Sequence, residues 1–405
     1  MNQIAESYVR LVLAVGQHDA DYVDAYYGPP EWKAEAQASK PSLASISSQA
    51  AHLAEELTHL DTSQAEETIP LRHQSLLRQL QSLHARVQML SGRKYSFDEE
   101  ALALYDAAPP HYPESHFTKL VHEVDLLLPG KDPLIKRYET YKKRFTIPIE
   151  KLDTVFSAAI AECRSRTKKH IPLPAGESFA VEYVKNKSWS GYNWYKGNCY
   201  SVIQINTDLP ISIDRAVDLA AHEGYPGHHV YNSILEDTMV RTRKWMEYSV
   251  YPLFSPQSLI AEGTANFGIE VAFSPKERIA FERDVLFPLA ELDSNEVDAY
   301  YTVFDLVAKL SYAGNEAARQ YLNGQISRTQ AAEWLVSYAL MPKERAEQRV
   351  RFFDQYRSYV INYNLGQDLV RRYIELRGGT PDNPVNRWKE FLSLLSSPRV
   401  PSSLQ

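Results

Sequence analysis

His222-Glu223-Gly224-Tyr225-Pro226-Gly227-His228-His229 gathers three of the chain's twelve histidines into eight residues and sets a carboxylate directly after the first. Imidazoles at this density suit a divalent metal, and an acid beside a ligand suits hydrolysis by activated water. Zinc peptidases commonly use H-E-x-x-H, because a four-residue separation turns both imidazoles to one side of a helix. The spacing here is different. His228 lies six residues after His222, about 240° round an ideal helix, and His229 seven, nearly in phase but about 10 Å along the axis. A regular helix fits neither pair. Pro226 offers no N–H to the His222 carbonyl, and Gly224 and Gly227 ease an unwound turn. Such a turn would bring His228 beside His222, with His229 open as the substitute ligand.

No histidine follows His229, so a downstream third ligand has to be a carboxylate. In Ser258-Leu259-Ile260-Ala261-Glu262-Gly263-Thr264-Ala265-Asn266, the helical neighbours of Glu262 are apolar or small, and a charge on such a face needs a partner. Gly263, Ala265 and Gly268 would allow close approach of the metal helix, and Asn266, one turn on, could orient a ligand. Glu270 is the alternative. Glu223 stands about 100° round the helix from His222, so it can face a metal-activated water as general base.

The signature His222-Glu223-Gly224-Tyr225-Pro226-Gly227-His228, followed by Ala261-Glu262-Gly263, resembles the H-E-x-x-P-G-H pattern of a bacterial family catalogued as domain of unknown function 885, itself similar to gluzincin metallopeptidases. The likeness runs from about Pro113 to the C-terminal helices. It implies a mainly α, two-lobed channel fold like that of neurolysin or angiotensin-converting enzyme, with one small antiparallel β-sheet beside the metal helix. It also implies ligand roles for His222, His228 and Glu262 and the base role for Glu223. In such enzymes a late helix supplies a hydroxyl or cation to the developing oxyanion, and Arg357-Ser358-Tyr359-Val360-Ile361-Asn362-Tyr363 looks like the corresponding segment. Tyr359 and Tyr363 lie four apart on one face, and Arg357 could hold a substrate carboxylate by a forked contact.

The elements that must position these residues are mostly helical by periodicity. A helix is expected over residues 1 to about 27, two more within 40–105, further helices over 115–169, and metal helices over 212–273. C-terminal helices over 276–395 include long spans at 295–322 and 342–376, and the tail from Ser396 is expected to be loose. Residues 178–206 hold the one convincing sheet, rich in aromatic and β-branched residues with a turn at Lys196-Gly197-Asn198. If Ser201–Asn206 forms an edge, it could pair with an extended peptide. These spans divide into an N-terminal helical lobe, 1–112, and a catalytic region, 113–405.

Composition sets the outer limits. With 44% hydrophobic and 23% charged residues, the 405-residue chain can bury a large core unaided. A net charge of −7 without a basic stripe argues against nucleic acid or an anionic membrane as partner. Cys163 and Cys199 form no C-x-x-C pair, which leaves histidine and carboxylate as metal ligands. The expected protein is a cytoplasmic, zinc-dependent peptidase that hydrolyses short peptides through metal-activated water, with its oligomeric state open. Its rivals are a metal-dependent hydrolase of a non-peptide amide or ester, and a helical binding protein with a degenerate site.

Overall fold

A computed structural model describes residues 1–63 and 65–404. The fold is mainly α, as its periodicity predicts, with two small sheets. Its centre is the helix Pro256–Ala272, which carries Glu262 and is buried on nearly every face. A helix apolar all round belongs inside a protein. One continuous hydrophobic core surrounds it, drawing side chains from Ile4 to Leu404 and so from both sides of residue 112. A smaller cluster around Phe117, Val124 and Leu310 packs separately.

The helix Ile361–Leu376 lies directly against this centre. The two backbones meet at Gly263 and Gly366: a Cβ on Gly263 would lie 2.5 Å from the Gly366 carbonyl, and one on Gly366 would lie 2.8 Å from the Leu259 carbonyl. Gly263 therefore serves this crossing and not approach of the metal helix. Gly268 does face the metal-helix turn, with its missing Cβ 3.1 Å from Pro226.

Several elements depart from expectation. The first helix is Asn2–Val15, and the chain then folds back so that Val23–Tyr26 forms a strand, β1. Gly16 permits the reversal, since a Cβ there would meet the Val23 side chain at 2.8 Å. β1 pairs antiparallel with Val250–Pro252, and the latter strand leads straight into the central helix. The expected sheet forms from β2 (Ser178–Val184), β3 (Gly191–Tyr195) and β4 (Tyr200–Asn206), but it is mixed and not antiparallel. β2 crosses over to lie parallel to β4, while β3 hairpins back antiparallel on the other side. β4 is thus central, with both sides of its backbone paired, and β2 and β3 are the edges of the sheet. The long helix expected over 295–322 is broken into Val297–Ala308 and Ala313–Leu322. The C-terminal tail packs as well: Pro401 and Leu404 are buried, and Ser402 N–H donates to Asp106 Oδ2 at 3.0 Å.

The glycine crossing is open to a stability test. Overpacking a tight contact costs about 1–3 kcal/mol. Gly366→Ala is expected to lower the free energy of unfolding by an amount in that range, read as a lower urea midpoint at unchanged slope. An unchanged midpoint would show that the two helices can separate at no cost.

Candidate metal centre

The metal-helix turn is built from hydrogen bonds that skip Pro226. The helix begun at Asp214–Leu219 widens over Ala220–Gly224, where Tyr225 N–H reaches Ala220 O at 3.0 Å. Gly227 N–H reaches still further back, to Ala221 O at 2.9 Å. A widened turn of this kind is a frequent device at functional sites. Gly227 has no substitute here, because any Cβ would sit 1.9 Å from the His222 carbonyl oxygen. The next helix, His228–Ile234, therefore starts beside His222, and the two imidazole centroids lie 4.7 Å apart with their planes at 88°.

Of the two candidate histidines, His228 is the one brought to His222. His222, His228 and Glu262 place one ligand atom each within 4.8 Å of one another, a group that could hold a metal ion. The Glu262 Oε2 atom lies 3.3 Å from His222 Nε2 and 3.6 Å from His228 Nε2. Neither approach makes a hydrogen bond, so Oε2 is buried with no hydrogen-bond partner. A buried carboxylate oxygen left in that state is costly unless something else binds it. Two imidazole nitrogens converging on that oxygen are the donor set of a borderline divalent ion, and zinc fits it.

His229 is turned away. It is fully buried, with Nδ1 2.9 Å from Ser201 Oγ and Nε2 3.1 Å from Glu177 Oε2, and Glu177 also accepts from the Tyr225 hydroxyl and pairs with Arg164. It anchors the metal turn to the sheet. Glu270 also lies elsewhere, paired with Arg371 at 2.5 Å and hydrogen-bonded by Gln367 at 2.8 Å.

Neighbouring groups hold the three residues in place. Asn266 Oδ1 lies 2.9 Å from His222 Nδ1, and its amide donates to Tyr363 O at 2.9 Å. With Nδ1–H donating to Asn266, the lone pair of His222 is left on the Nε2 that faces Glu262. Tyr359 donates its hydroxyl to Glu262 Oε1 at 2.7 Å. That bond makes Tyr359 a positioning residue. Tyr363, whose ring centroid lies 5.8 Å from that of Tyr359, lines the cavity, and among the described residues its hydroxyl has no hydrogen-bond partner. Glu223 is buried in the same wall, and its backbone carbonyl accepts from Asn193 Nδ2 of β3 at 2.7 Å. Gly191, also on β3, leaves room for the acid, since a Cβ there would lie 2.9 Å from Glu223 Oε1.

Arg357 departs from expectation. It does not line the cavity; its Nε donates to the buried Glu100 at 2.6 Å, and the Ser358 N–H and hydroxyl donate to the same carboxylate at 3.1 and 2.6 Å. With φ at +51°, Arg357 interrupts the helix expected over 342–376, so that Lys343–Tyr356 ends and the Tyr359–Tyr363 segment restarts at a new angle. Its role is to aim those tyrosines.

The fold also brings to the cavity charged groups that the motifs do not mark, Asp24, Arg215, Arg345 and Arg349 among them. Asp24, on β1, lines the cavity and accepts from the Tyr192 hydroxyl, and burial pushes its carboxyl up to about 6. Its signal was an acid inside the short aromatic and β-branched stretch Val23-Asp24-Ala25-Tyr26 that follows Gly16. Arg349 also lines the cavity, with its guanidinium 5.7 Å from the Tyr363 ring centroid. The cavity holds about 390 Å³, enough for a small ligand.

The charges of the site act on one another. Burial raises the carboxyl of Glu223, with only partial relief from His222 and His228. Burial would also raise Glu262, but His228 and His222 outweigh it and hold that carboxyl well below its ordinary range. For His228 burial opposes a proton, yet Glu262 and Glu223 prevail and lift the imidazole to about 9.

No protein-family model and no curated protein matches this chain, so the family resemblance is carried by the signature residues alone. Among solved structures, a candidate lipoprotein from Colwellia psychrerythraea matches at 14% identity with a TM-score of 0.54, over 89% of this chain and 65% of that one. This chain thus spans less than two thirds of that protein's length. A candidate lipoprotein of unknown function from Shewanella oneidensis matches at 12% identity with a TM-score of 0.49, over 92% and 75% of the two chains. An M32 carboxypeptidase from Deinococcus radiodurans R1 matches more loosely, at 13% identity with a TM-score of 0.37 over 98% and 90%. The first of these shows a shared fold. No helix among the described residues is long and apolar enough to cross a membrane.

The His228–Glu262 pairing predicts how metal affinity and stability vary with pH. An ordinary histidine titrates near about 6.5, whereas here the value is about 9. The pairing's contribution to stability without metal is therefore fully present below about 6.5 and lost as pH rises through about 9. An entering ion must displace that proton. Zinc affinity is expected to rise about tenfold per pH unit between pH 7 and 8.5, with about one proton released per ion. Calorimetry in buffers of different ionisation enthalpy measures both, and an affinity flat over that range would contradict the assignment.

Proposed function

We propose that the protein is a zinc-dependent peptidase hydrolysing short peptides, with His222, His228 and Glu262 as metal ligands and Glu223 as general base. The observation that carries this reading is the buried, unpartnered Oε2 of Glu262 between two imidazoles, with a second buried carboxylate in the same cavity. When bound, zinc supplies a Lewis acid that acidifies water toward neutral pH and polarises a carbonyl. Glu223, with its proton affinity raised by burial, takes the proton from the attacking water and passes it to the leaving amine. No covalent intermediate on the protein is required.

Tyr363 has a free hydroxyl facing the cavity and donates to the oxygen on which negative charge develops. Tyr359 keeps Glu262 in position through its own hydroxyl and does not touch the substrate. The edge strand β3, with one side of its backbone unpaired in the sheet, offers hydrogen bonds to an extended peptide, a role first expected for β4. Both thiols, Cys163 and Cys199, are free and buried, and a cytoplasmic setting belongs to the same reading.

Glu223→Gln separates chemistry from metal binding. The variant is expected to keep one zinc per chain while turnover of short peptides falls about 10²–10⁴-fold. Metal content by atomic absorption together with a peptide cleavage assay reads both. Turnover equal to that of the wild type would sink the base assignment.

A further inference from the structure

Two arginines that line the cavity, Arg345 exposed and Arg349 half-buried, lie within the field of Asp214 and Glu262 respectively but form no ion pair among the described residues. Arg345 and Arg349 lie four residues apart on the helix Lys343–Tyr356, hence on one face, and both line the metal cavity. Among the described residues neither makes an ion pair or a side-chain hydrogen bond. Arg349 is half-buried, with its guanidinium 4.6 Å from the Phe352 ring centroid and 5.7 Å from that of Tyr363. Stacking fixes the plane of the guanidinium but leaves its five N–H donors unused.

Asp24, Asp218 and one oxygen of Glu262 are already engaged, and Glu223, the fourth acid of the cavity, forms no ion pair with either arginine. Asp24 accepts from Tyr192, Asp218 pairs with Arg278 at 2.9 Å and with Arg215 at 3.3 Å, and Glu262 accepts from Tyr359. Two unpaired cations beside a third, Arg215, repel one another, and burial further disfavours the charge on Arg349. A planar guanidinium with free donors at a cavity wall is built for a carboxylate, which it can grip with two parallel hydrogen bonds.

Building on the peptidase reading, we propose that Arg349, assisted by Arg345, binds the terminal carboxylate of the substrate and makes the enzyme a carboxypeptidase on short peptides. The Arg349 guanidinium lies 5.7 Å from the ring centroid of Tyr363, the residue proposed above to donate to the reacting carbonyl, so the anion site adjoins the proposed reacting centre. The scissile bond therefore lies at the C-terminal end of the peptide. The guanidinium acts only in binding, and the chemical step is that of Glu223.

Zinc-loaded Glu223→Gln protein, which cannot turn substrate over, allows binding to be measured alone. The probes are tetra-alanine with a free carboxyl terminus and the same peptide as its C-terminal amide, titrated calorimetrically. The free acid is expected to bind about tenfold or more tighter than the amide. Adding Arg349→Gln should bring that ratio toward one, and Arg349→Lys should keep part of it. Equal binding of acid and amide, binding of neither, or a ratio untouched by Arg349→Gln would overturn the proposal. So would tight binding of inorganic phosphate where the acid peptide fails, which would assign the arginines to a phosphorylated ligand. Acid-selective binding with no cleavage of either peptide by the wild type would sink the peptidase reading and leave the carboxylate site standing. Amide cleaved as fast as acid by the wild type would do the reverse.

Discussion

The burial of Glu262 is the constraint on which the rest depends. A carboxylate in the middle of a helix enclosed on nearly all sides is costly unless opposing charge and hydrogen-bond donors surround it. The tyrosine at 359 satisfies one oxygen, and two imidazoles are drawn toward the other. Two of those partners reach Glu262 through backbone irregularities. The widened turn around Pro226 delivers His228, the break at Arg357 delivers Tyr359, and the Gly263–Gly366 crossing sets how closely the tyrosine helix approaches.

Local departures from regular structure thus concentrate at one place, where they aim side chains that regular helices would scatter. Asn266 joins two of these arrangements by bridging His222 and the Tyr363 backbone, so the metal helix and the tyrosine helix share one strut. On the far side β3 supports Glu223 through Asn193 and makes room for it at Gly191. Its edge position leaves that strand open to the cavity.

Much of this was legible in the residues because the chemistry is local in sequence. Proline and glycine inside a histidine cluster point to a bent turn, and the lack of later histidines leaves a carboxylate to complete the group. Glu262 stood out because its helix offered no polar face on which to hide a charge. What stayed hidden depends on long-range packing. Asp24 reaches the cavity only because β1 pairs with Val250–Pro252, more than two hundred residues away. Arg349 reads as an ordinary surface cation until the fold places it at the cavity without an ion-pair partner among the described residues. Arg357 looked like a ligand for substrate, but Glu100, an unremarkable helix residue in sequence, captures it. Strand order was equally invisible, because the short link between β2 and β3 gives no sign that it crosses over β4.

The proposed chemistry requires one divalent ion between His222, His228 and Glu262. X-ray absorption at the zinc edge of the metal-loaded protein tests it most directly, because imidazole nitrogens near about 2.0–2.1 Å have a distinctive multiple-scattering pattern and thiolates lie longer, near about 2.3 Å. Two imidazoles with the remaining ligands oxygen are expected, with loss of one imidazole in His228→Ala but not in His229→Ala. A thiolate, a third imidazole, or a spectrum that changes with His229 and not with His228 would contradict it.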